Sequence, residues 1–453
     1  MSPAFRTLAF IACSLPAARL AAQLPPDAVA KIDAIARQAV ADSGAPSVSL
    51  AIVQDGRIAY VQAYGKARPE MRYSVGSVSK QFMAAAILLL VSEGKLALGD
   101  KVARFLPSLT RANEVTVRQL LSHTSGYSDY YPLDYVAPYM LKPVTADEIL
   151  KTWAGKPLDF DPGTRWQYSN TNFVAAGRIL EQVTGVKLST FMQSRIFGPL
   201  GMTSVIDLDE QSLTAADAAG YTRFGLAPAR PVAPEGRGWL FAAGELAMTA
   251  QDLARWDVSL VKHTLLDPAL MDTLIDPVRL KNGAPTGYAL GVGVSDAGGH
   301  PMLQHGGAVS GFVSLNTVWP DQGAAVVVFA NLDGSEAPTA ITSQIAPLLL
   351  AQAEDPRTAQ QLEQARRIFS GLQEGRIDRS LLNPDADAYF TPQVLSDAAG
   401  LKALGAPETF RQTSVELRGG MTYRHFQIGF KGKSLHLSTF TTADDKLAQY
   451  LIQ

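Results

Sequence analysis

Stretches of β-type sequence lie near both ends of the first 350 residues, and a helical region separates them. At the front, "SVSLAIVQ" (47–54) and "RIAYVQAYG" (57–65) are joined by Asp55-Gly56, a dipeptide that suits a two-residue hairpin turn. At the back stand "GYALGVGV" (287–294), "GFVSLNTVW" (311–319) and "GAAVVVFANL" (323–332), the last two meeting at a Pro320–Gly323 turn. Strands confined to two distant segments suit one sheet closed by both termini, with the middle inserted as a helical, loop-rich region over roughly 100–270. Helix candidates flank this set. "DAVAKIDAIARQAVADSG" (27–44) has helical periodicity and stops at Gly44, and "APTAITSQIAPLLLAQ" (337–352) closes the segment.

Beyond Glu354-Asp355-Pro356 the texture changes. "TAQQLEQARRIFSGLQEG" (358–375) is a charged amphipathic helix, while "YRHFQIGF" (423–430) and "KSLHLSTF" (433–440) alternate as half-buried strands do. Arg418-Gly419-Gly420 reads as a turn, and His425 and His436 fall on the two strands. The expected domains are therefore 23–354 and a small α+β accessory unit over 355–453. That unit carries no chemistry of its own, and its protein partner is unknown from the sequence.

Residues 1–22 read as an export leader: "MSPAFR" is basic, "TLAFIACSLPAA" is apolar, and "RLAAQ" offers small residues for cleavage near Ala22. The expected location is periplasmic or secreted. The one cysteine, Cys13, lies inside the leader, so the processed chain would have no disulfide and no thiolate nucleophile. Forty Lys and Arg against forty-two Asp and Glu leave a net charge of −2. That balance gives no electrostatic footprint for nucleic acid. No run reaches the length of an apolar membrane span.

The chemistry is sought in "YSVGSVSKQF" (73–82), where Ser77 stands three residues before Lys80. Residues i and i+3 share a helical face, so the amine can reach the hydroxyl. The helix behind them, "FMAAAILLLV" (82–91), is apolar on every side and therefore belongs in a core. A lysine at its mouth is partly desolvated, which favours the neutral, proton-accepting amine. The tetrapeptide by itself is weak, since Ser92/Lys95 and Ser259/Lys262 share the spacing. What distinguishes Ser77 is company. Tyr168 and Asn170 in "RWQYSNTNF" offer a phenol to shuttle a proton and an amide to hold a carbonyl. His305, Gly306 and Gly307 in "QHGGAVSGF" open a β-like run whose glycines leave room for a substrate backbone.

Taken together, Ser77-Val78-Ser79-Lys80, Tyr168-Ser169-Asn170 and His305-Gly306-Gly307 resemble the three motifs of the penicillin-recognising serine hydrolases. The similarity is to the branch of class C β-lactamases, low-molecular-weight D,D-peptidases and related esterases. "VRQLLSHTSG", "FGPLGM" and "MTAQDLARW" resemble family segments in family order, and the likeness spans about residues 30–350. It implies an α/β (α+β) fold: an antiparallel sheet flanked by helices, an all-helical subdomain, and the site between them. It also implies that Ser77 is acylated, Lys80 is its base and Tyr168 exchanges protons with the leaving group. Asn170, His305, Gly306, Gly307 and Ala308 would bind substrate, with the Ser77 and Ala308 amides forming the oxyanion hole. No cofactor is implied. Two departures stand out. His305 replaces the lysine that leads the third motif in lactamases proper, removing a fixed ammonium for a substrate carboxylate. Glu245, in "AAGEL", stands where relatives often carry a second glycine.

Plainer roles compete for each residue. Ser77 could cap a helix, Tyr168 could be a core tyrosine, Asn170 a turn residue and His305 a hydrogen bonder at a strand end. His123, in the Ser/Thr/Gly turn "LSHTSG", reads as structural, and the tyrosines at 127, 130 and 131 suit either a cleft wall or an aromatic loop. The six histidines fall into no ligand spacing, and neither a G-x-S-x-G elbow nor a phosphate loop is present. The expected function is an exported acyl-enzyme hydrolase acting on a D-amino-acid peptide, a β-lactam or a short acyl substrate, with peptidoglycan-derived peptides among the candidates. A carboxylesterase with the same site and a non-catalytic envelope binding protein are the alternatives.

Overall fold

The computed structural model describes residues 24–452 apart from 132–134, 226, 297–299, 351–355 and 419–420. The leader, Cys13 and the cleavage position fall outside the described residues, as does the Gly419-Gly420 turn. Contacts divide the chain into two compact units, one holding the chain to Ser295 with Pro301–Leu350, the other Asp296–His300 with the chain from Ala351.

In the first unit a six-stranded sheet runs in the order Arg57–Gly65, Ser47–Gln54, Ala324–Ala330, Phe312–Trp319, Pro301–Val309 and Gly293–Asp296. The front hairpin thus pairs with the last strand of the unit: Val48 lies opposite Ala330 and Val53 opposite Ala325, antiparallel. Asp55 and Gly56 take φ of 51° and 63° at the hairpin turn, the left-handed pair that matches the twist of its strands. All seven residues of Ala324–Ala330 are buried, because both faces of the sheet are covered. Leu50, Ile52, Val326 and Val328 face the terminal helices Pro26–Ser43 and Ala337–Leu349 through Ile32, Ala36, Ile341 and Ile345. Ala51, Val53, Val327 and Phe329 face the helical region. Each such aliphatic side chain contributes about 1.5–3 kcal/mol on burial.

Helix Ser79–Ser92 is buried on every side from Ser79 to Leu90. Phe82 packs on Trp256 at 4.7 Å and on Phe197 at 5.4 Å. The middle of the chain is not wholly helical: Tyr73–Ser74, Leu246–Met248 and Ile206–Asp207 form a small three-stranded sheet. A second difference concerns "GYALGVGV", of which only the end joins strand Gly293–Asp296. Gly287 and Gly291 take φ of 68° and 69°, and a Cβ on Gly291 would lie 2.5 Å from the Lys80 carbonyl oxygen. The run therefore wraps against the nucleophile helix instead of extending.

The second unit lays helix Pro356–Gln373 on a four-stranded antiparallel sheet, Thr409–Arg418, Met421–Phe430, Lys433–Thr441 and Leu447–Ile452. Phe369, Phe410, Phe426, Ile428 and Leu437 form its core. Its first and last strands carry no clear alternation in the sequence. Among the described residues, no helix is long and apolar enough to cross a membrane.

Candidate active site

The small sheet sets the nucleophile in place. Tyr73 and Ser74 pair with Met248 and Ala247, and Val75 N donates to Leu246 O at 3.0 Å. The chain then turns through a 3₁₀ segment, Gly76–Val78, before helix Ser79–Ser92 starts. Ser77 therefore sits ahead of the helix, and no side chain caps that terminus. Gly76 has φ +51°, and a Cβ there would lie 3.1 Å from Ala308 N, so the turn rests on the strand that carries the third motif. Ser314 Oγ fastens it by donating to Val75 O at 2.7 Å.

Lys80 is fully buried at the foot of this turn. Its Nζ lies 2.9 Å from Ser77 Oγ, 2.7 Å from Asn170 Oδ1 and 2.6 Å from Ala243 O. Burial lowers its pKa from 10.5 to about 7, with Asp129 and Glu245 pulling the other way. A neutral amine has two N–H groups and one lone pair. Asn170 Oδ1 and Ala243 O can only accept, so they take the two N–H groups and the lone pair is left for the Ser77 hydroxyl. The site can thus move a proton from Ser77 to Lys80 without rearrangement.

Tyr168 lies beside Ser77, and its ring centroid is 5.0 Å from Lys80 Nζ. Burial raises the phenol pKa, the Ser77 contact lowers it and Asp129 raises it. The net rise keeps the phenol protonated at neutral pH, a donor for a leaving group and not a standing base. His123 backs this ring at 4.2 Å between centroids, and its Nδ1 accepts from Ser169 N at 3.2 Å. The structural role expected for His123 therefore serves the motif directly.

His305 lies buried on strand Pro301–Val309. Its Nδ1 is 2.6 Å from Gly306 O, an acceptor only, so Nδ1 carries the proton. Nε2 then accepts from the Tyr288 hydroxyl at 2.8 Å. Burial, with Lys80 nearby, holds the imidazole pKa down at about 3, so the ring is neutral and both nitrogens are engaged. Gly306 and Ala308 are exposed on this strand and Gly307 is buried. Room for substrate therefore lies at Gly306, where an added Cβ would meet nothing closer than 3.7 Å. Gly307 has a different task from the expected one: its Cβ would lie 2.0 Å from Val75 O, so its bareness admits the nucleophile turn.

Glu245 is buried behind Lys80, its Oε2 accepting from Gly244 N at 3.2 Å. Burial, then Asp207 and Asp209, push its carboxyl pKa well up. The other two Ser/Lys pairs are ordinary: Ser92 and Ser259 donate to Leu89 O and Trp256 O, each at 2.8 Å, and Lys95 pairs with Glu93. Sequence reasoning missed Asp129, Tyr288, Ser314 and the Ala243 carbonyl. Only Tyr288, an aromatic between two glycines, left any trace. Among the described residues, no cluster of His, Cys, Asp or Glu could hold a metal ion.

A serine hydroxyl held by a buried amine, with a phenol beside it, on this fold is the arrangement of a serine hydrolase. Over residues 32–349 the sequence matches the β-lactamase family, and the chain belongs to it. It is 28% identical over 335 residues to Protein flp of Staphylococcus aureus, across 70% of this chain and 65% of that protein. The chain thus spans just under two thirds of that relative's length. The D-stereospecific amidohydrolase of a Streptomyces species superposes with a TM-score of 0.62 at 28% identity, covering 69% of this chain and 98% of that one. The octameric penicillin-binding protein homologue from Pyrococcus abyssi is alike in fold, with a TM-score of 0.62 at 20% identity over 94% of this chain and 100% of that chain.

Proposed function

We propose that this chain is an exported hydrolase that passes through an acyl-enzyme on Ser77 and cleaves a D-configured amide or peptide. The observation that carries the reading is the placement of Lys80 Nζ against two fixed acceptors with Ser77 Oγ as its third neighbour. Ser77 Oγ attacks the acyl carbon as its proton passes to Lys80. The Ser77 and Ala308 amides take the developing oxyanion, as the contact of the Gly76 turn with Ala308 N allows. Tyr168 gives its proton to the departing nitrogen or oxygen and regains one from the Lys80 ammonium, whose Nζ lies 5.0 Å from its ring centroid. A water molecule then attacks the acyl-enzyme by the reverse proton path and frees the acid and Ser77.

Neutral His305 supports substrates with an uncharged group at the third motif, since it offers no cation to a carboxylate. The order of preference is therefore amide or peptide, then short ester, then β-lactam. Similarity to a D-stereospecific amidohydrolase points the same way. The second unit would serve as an accessory module, and the basic, apolar and small-residue pattern over 1–22 supports an export leader and a location outside the cytoplasm. A fluorophosphonate probe and a labelled penicillin test the central claim. Covalent labelling of the wild type, lost in Ser77→Ala, is expected, and no adduct with either probe overturns the enzyme reading. Rates on a D-amino-acid amide, a D-Ala-D-Ala peptide, a p-nitrophenyl ester and nitrocefin then rank the substrates.

A further inference from the structure

Asn170 can serve Lys80 only if its amide points one way, and that orientation needs a cause. Asn170 Oδ1 accepts from Lys80 at 2.7 Å, while Nδ2 lies 3.2 and 3.3 Å from the two oxygens of Asp129. The Asn170 backbone N–H also donates to Asp129 Oδ1, at 2.8 Å. With the Lys80 lone pair given to Ser77, only its N–H groups face Asn170, and a carboxylate only accepts. A flipped amide would set its NH₂ against the Lys80 amine and its oxygen against the Asp129 carboxylate, losing both bonds. Asp129 is itself fixed: its Oδ1 accepts from Tyr131 N at 3.1 Å, and Thr171 Oγ1 ties the neighbouring Ser128 O at 2.7 Å. It sits at the N-terminus of helix Asn170–Thr184, where a negative charge is favoured.

We propose that Asp129 is a positioning residue that locks the Asn170 amide with its oxygen toward Lys80, and so sets the direction of the lysine lone pair. This rests on Lys80 acting as the base in the acyl transfer above. Asp129 touches neither Ser77 nor the reacting atoms in this arrangement, and it acts through Asn170. The charged and titratable groups around Lys80 are Asp129, whose charge favours its ammonium, and Glu245, which does so only when ionised against the rise of its own pKa, with His123, His305 and Tyr168 beside it.

Asp129→Asn is the informative variant, because an amide both donates and accepts and so no longer dictates from its side which way Asn170 points. It should lower kcat/KM on the best substrate by about a hundredfold, the scale of a misplaced catalytic group. The acidic limb of the pH–rate profile should also move to lower pH, since a carboxylate and an oriented acceptor that favour the ammonium are lost. A purely structural residue would lower the rate without moving that limb. In an Asn170→Ala background, Asp129→Asn should cost little further rate, the limb alone still moving because the Asp129 charge acts on Lys80 directly. Wild-type kcat/KM with an unmoved limb in Asp129→Asn overturns the proposal, as does an equal further loss in the Asn170→Ala background. If Asp129→Asn does not fold, Asn170→Ala supplies the measure: an unmoved limb there means that Lys80 does not feel the amide, and the proposal falls. Probe labelling of wild-type Ser77 tests the hydrolase reading separately.

Discussion

Replacing Lys80 with methionine should alter how the stability of the hydrolase unit depends on pH more tellingly than it alters stability itself. Methionine fills much of the buried channel and does not titrate. In the native protein burial holds the Lys80 pKa at about 7, against 10.5 for the free side chain. At about 1.4 kcal/mol per unit, keeping the ammonium buried costs about 5 kcal/mol. The sign follows from proton counting. Below about pH 7 both states are protonated and the folded state bears the whole cost. Between about 7 and 10.5 the unfolded chain holds a proton that the folded one lacks, so stability rises with pH. Above that window the cost is gone. Lys80→Met lacks this dependence, so from pH 8 to 10 the wild type should gain about 2–3 kcal/mol relative to it. The variant also leaves Asn170 Oδ1 and Ala243 O without a donor, at about 1–3 kcal/mol each, but that loss does not titrate. Tyrosines that ionise in both proteins cancel in the difference. All five tryptophans, Trp153, Trp166, Trp239, Trp256 and Trp319, belong to the first unit, so their fluorescence in urea titrations reports that unit alone. Parallel stability–pH curves for the two proteins would refute the neutral buried lysine.

Two further substitutions probe the strand of the third motif. Gly307→Ala puts a methyl group 2.0 Å from Val75 O and 2.4 Å from Ser314 Oγ, so it should cost about 1–3 kcal/mol and displace the nucleophile turn. Gly306→Ala, one residue away, should unfold within about 1 kcal/mol of the wild type, and equal losses in thermal melts would sink the distinction. Tyr288→Phe removes the hydroxyl that His305 Nε2 accepts, at about 1–3 kcal/mol. Nδ1 still holds the ring proton against Gly306 O, so Nε2 keeps a bare lone pair and the kcat/KM ratio of a D-Ala-D-Ala peptide to a D-amino-acid amide should not rise. A rise would mean that His305 takes up a proton once Tyr288 is gone.

The parts of this molecule that are legible in its sequence are those set by local chemistry. Asp55-Gly56 specifies a turn by its own backbone preferences, and the all-apolar Ala324–Ala330 run announces a strand covered on both faces. The Ser77–Lys80 spacing is likewise a property of one helical turn. What stays hidden depends on chain segments that meet only after folding. The Ala243 carbonyl that accepts from Lys80 has no side-chain signature at all. Asp129 sits among serines and tyrosines in a loop, and its partner Asn170 is remote in sequence. Gly307 illustrates a subtler limit: the sequence shows that a side chain is missing, but the neighbour that requires its absence is Val75 O. Nothing adjacent in the sequence marks the state of Glu245, and only its burial near Asp207 and Asp209 shows it as a carboxyl pushed toward neutrality.

The closure of the main sheet has a consequence for biosynthesis. Strand Ala324–Ala330 lies between Ser47–Gln54 and Phe312–Trp319, so a nascent chain that has not yet emitted it has two open strand edges and no way to join them. Such pairings between distant segments form late and slowly. The turn bearing Ser77 is propped by Gly307 and Ser314, which come from the same late portion. A ribosome-bound or truncated chain would hold Ser77 and Lys80 but no support for their geometry. The support for this geometry therefore arrives only with the end of the unit, and Ser77 held against Lys80 in this arrangement is itself a signature of finished folding.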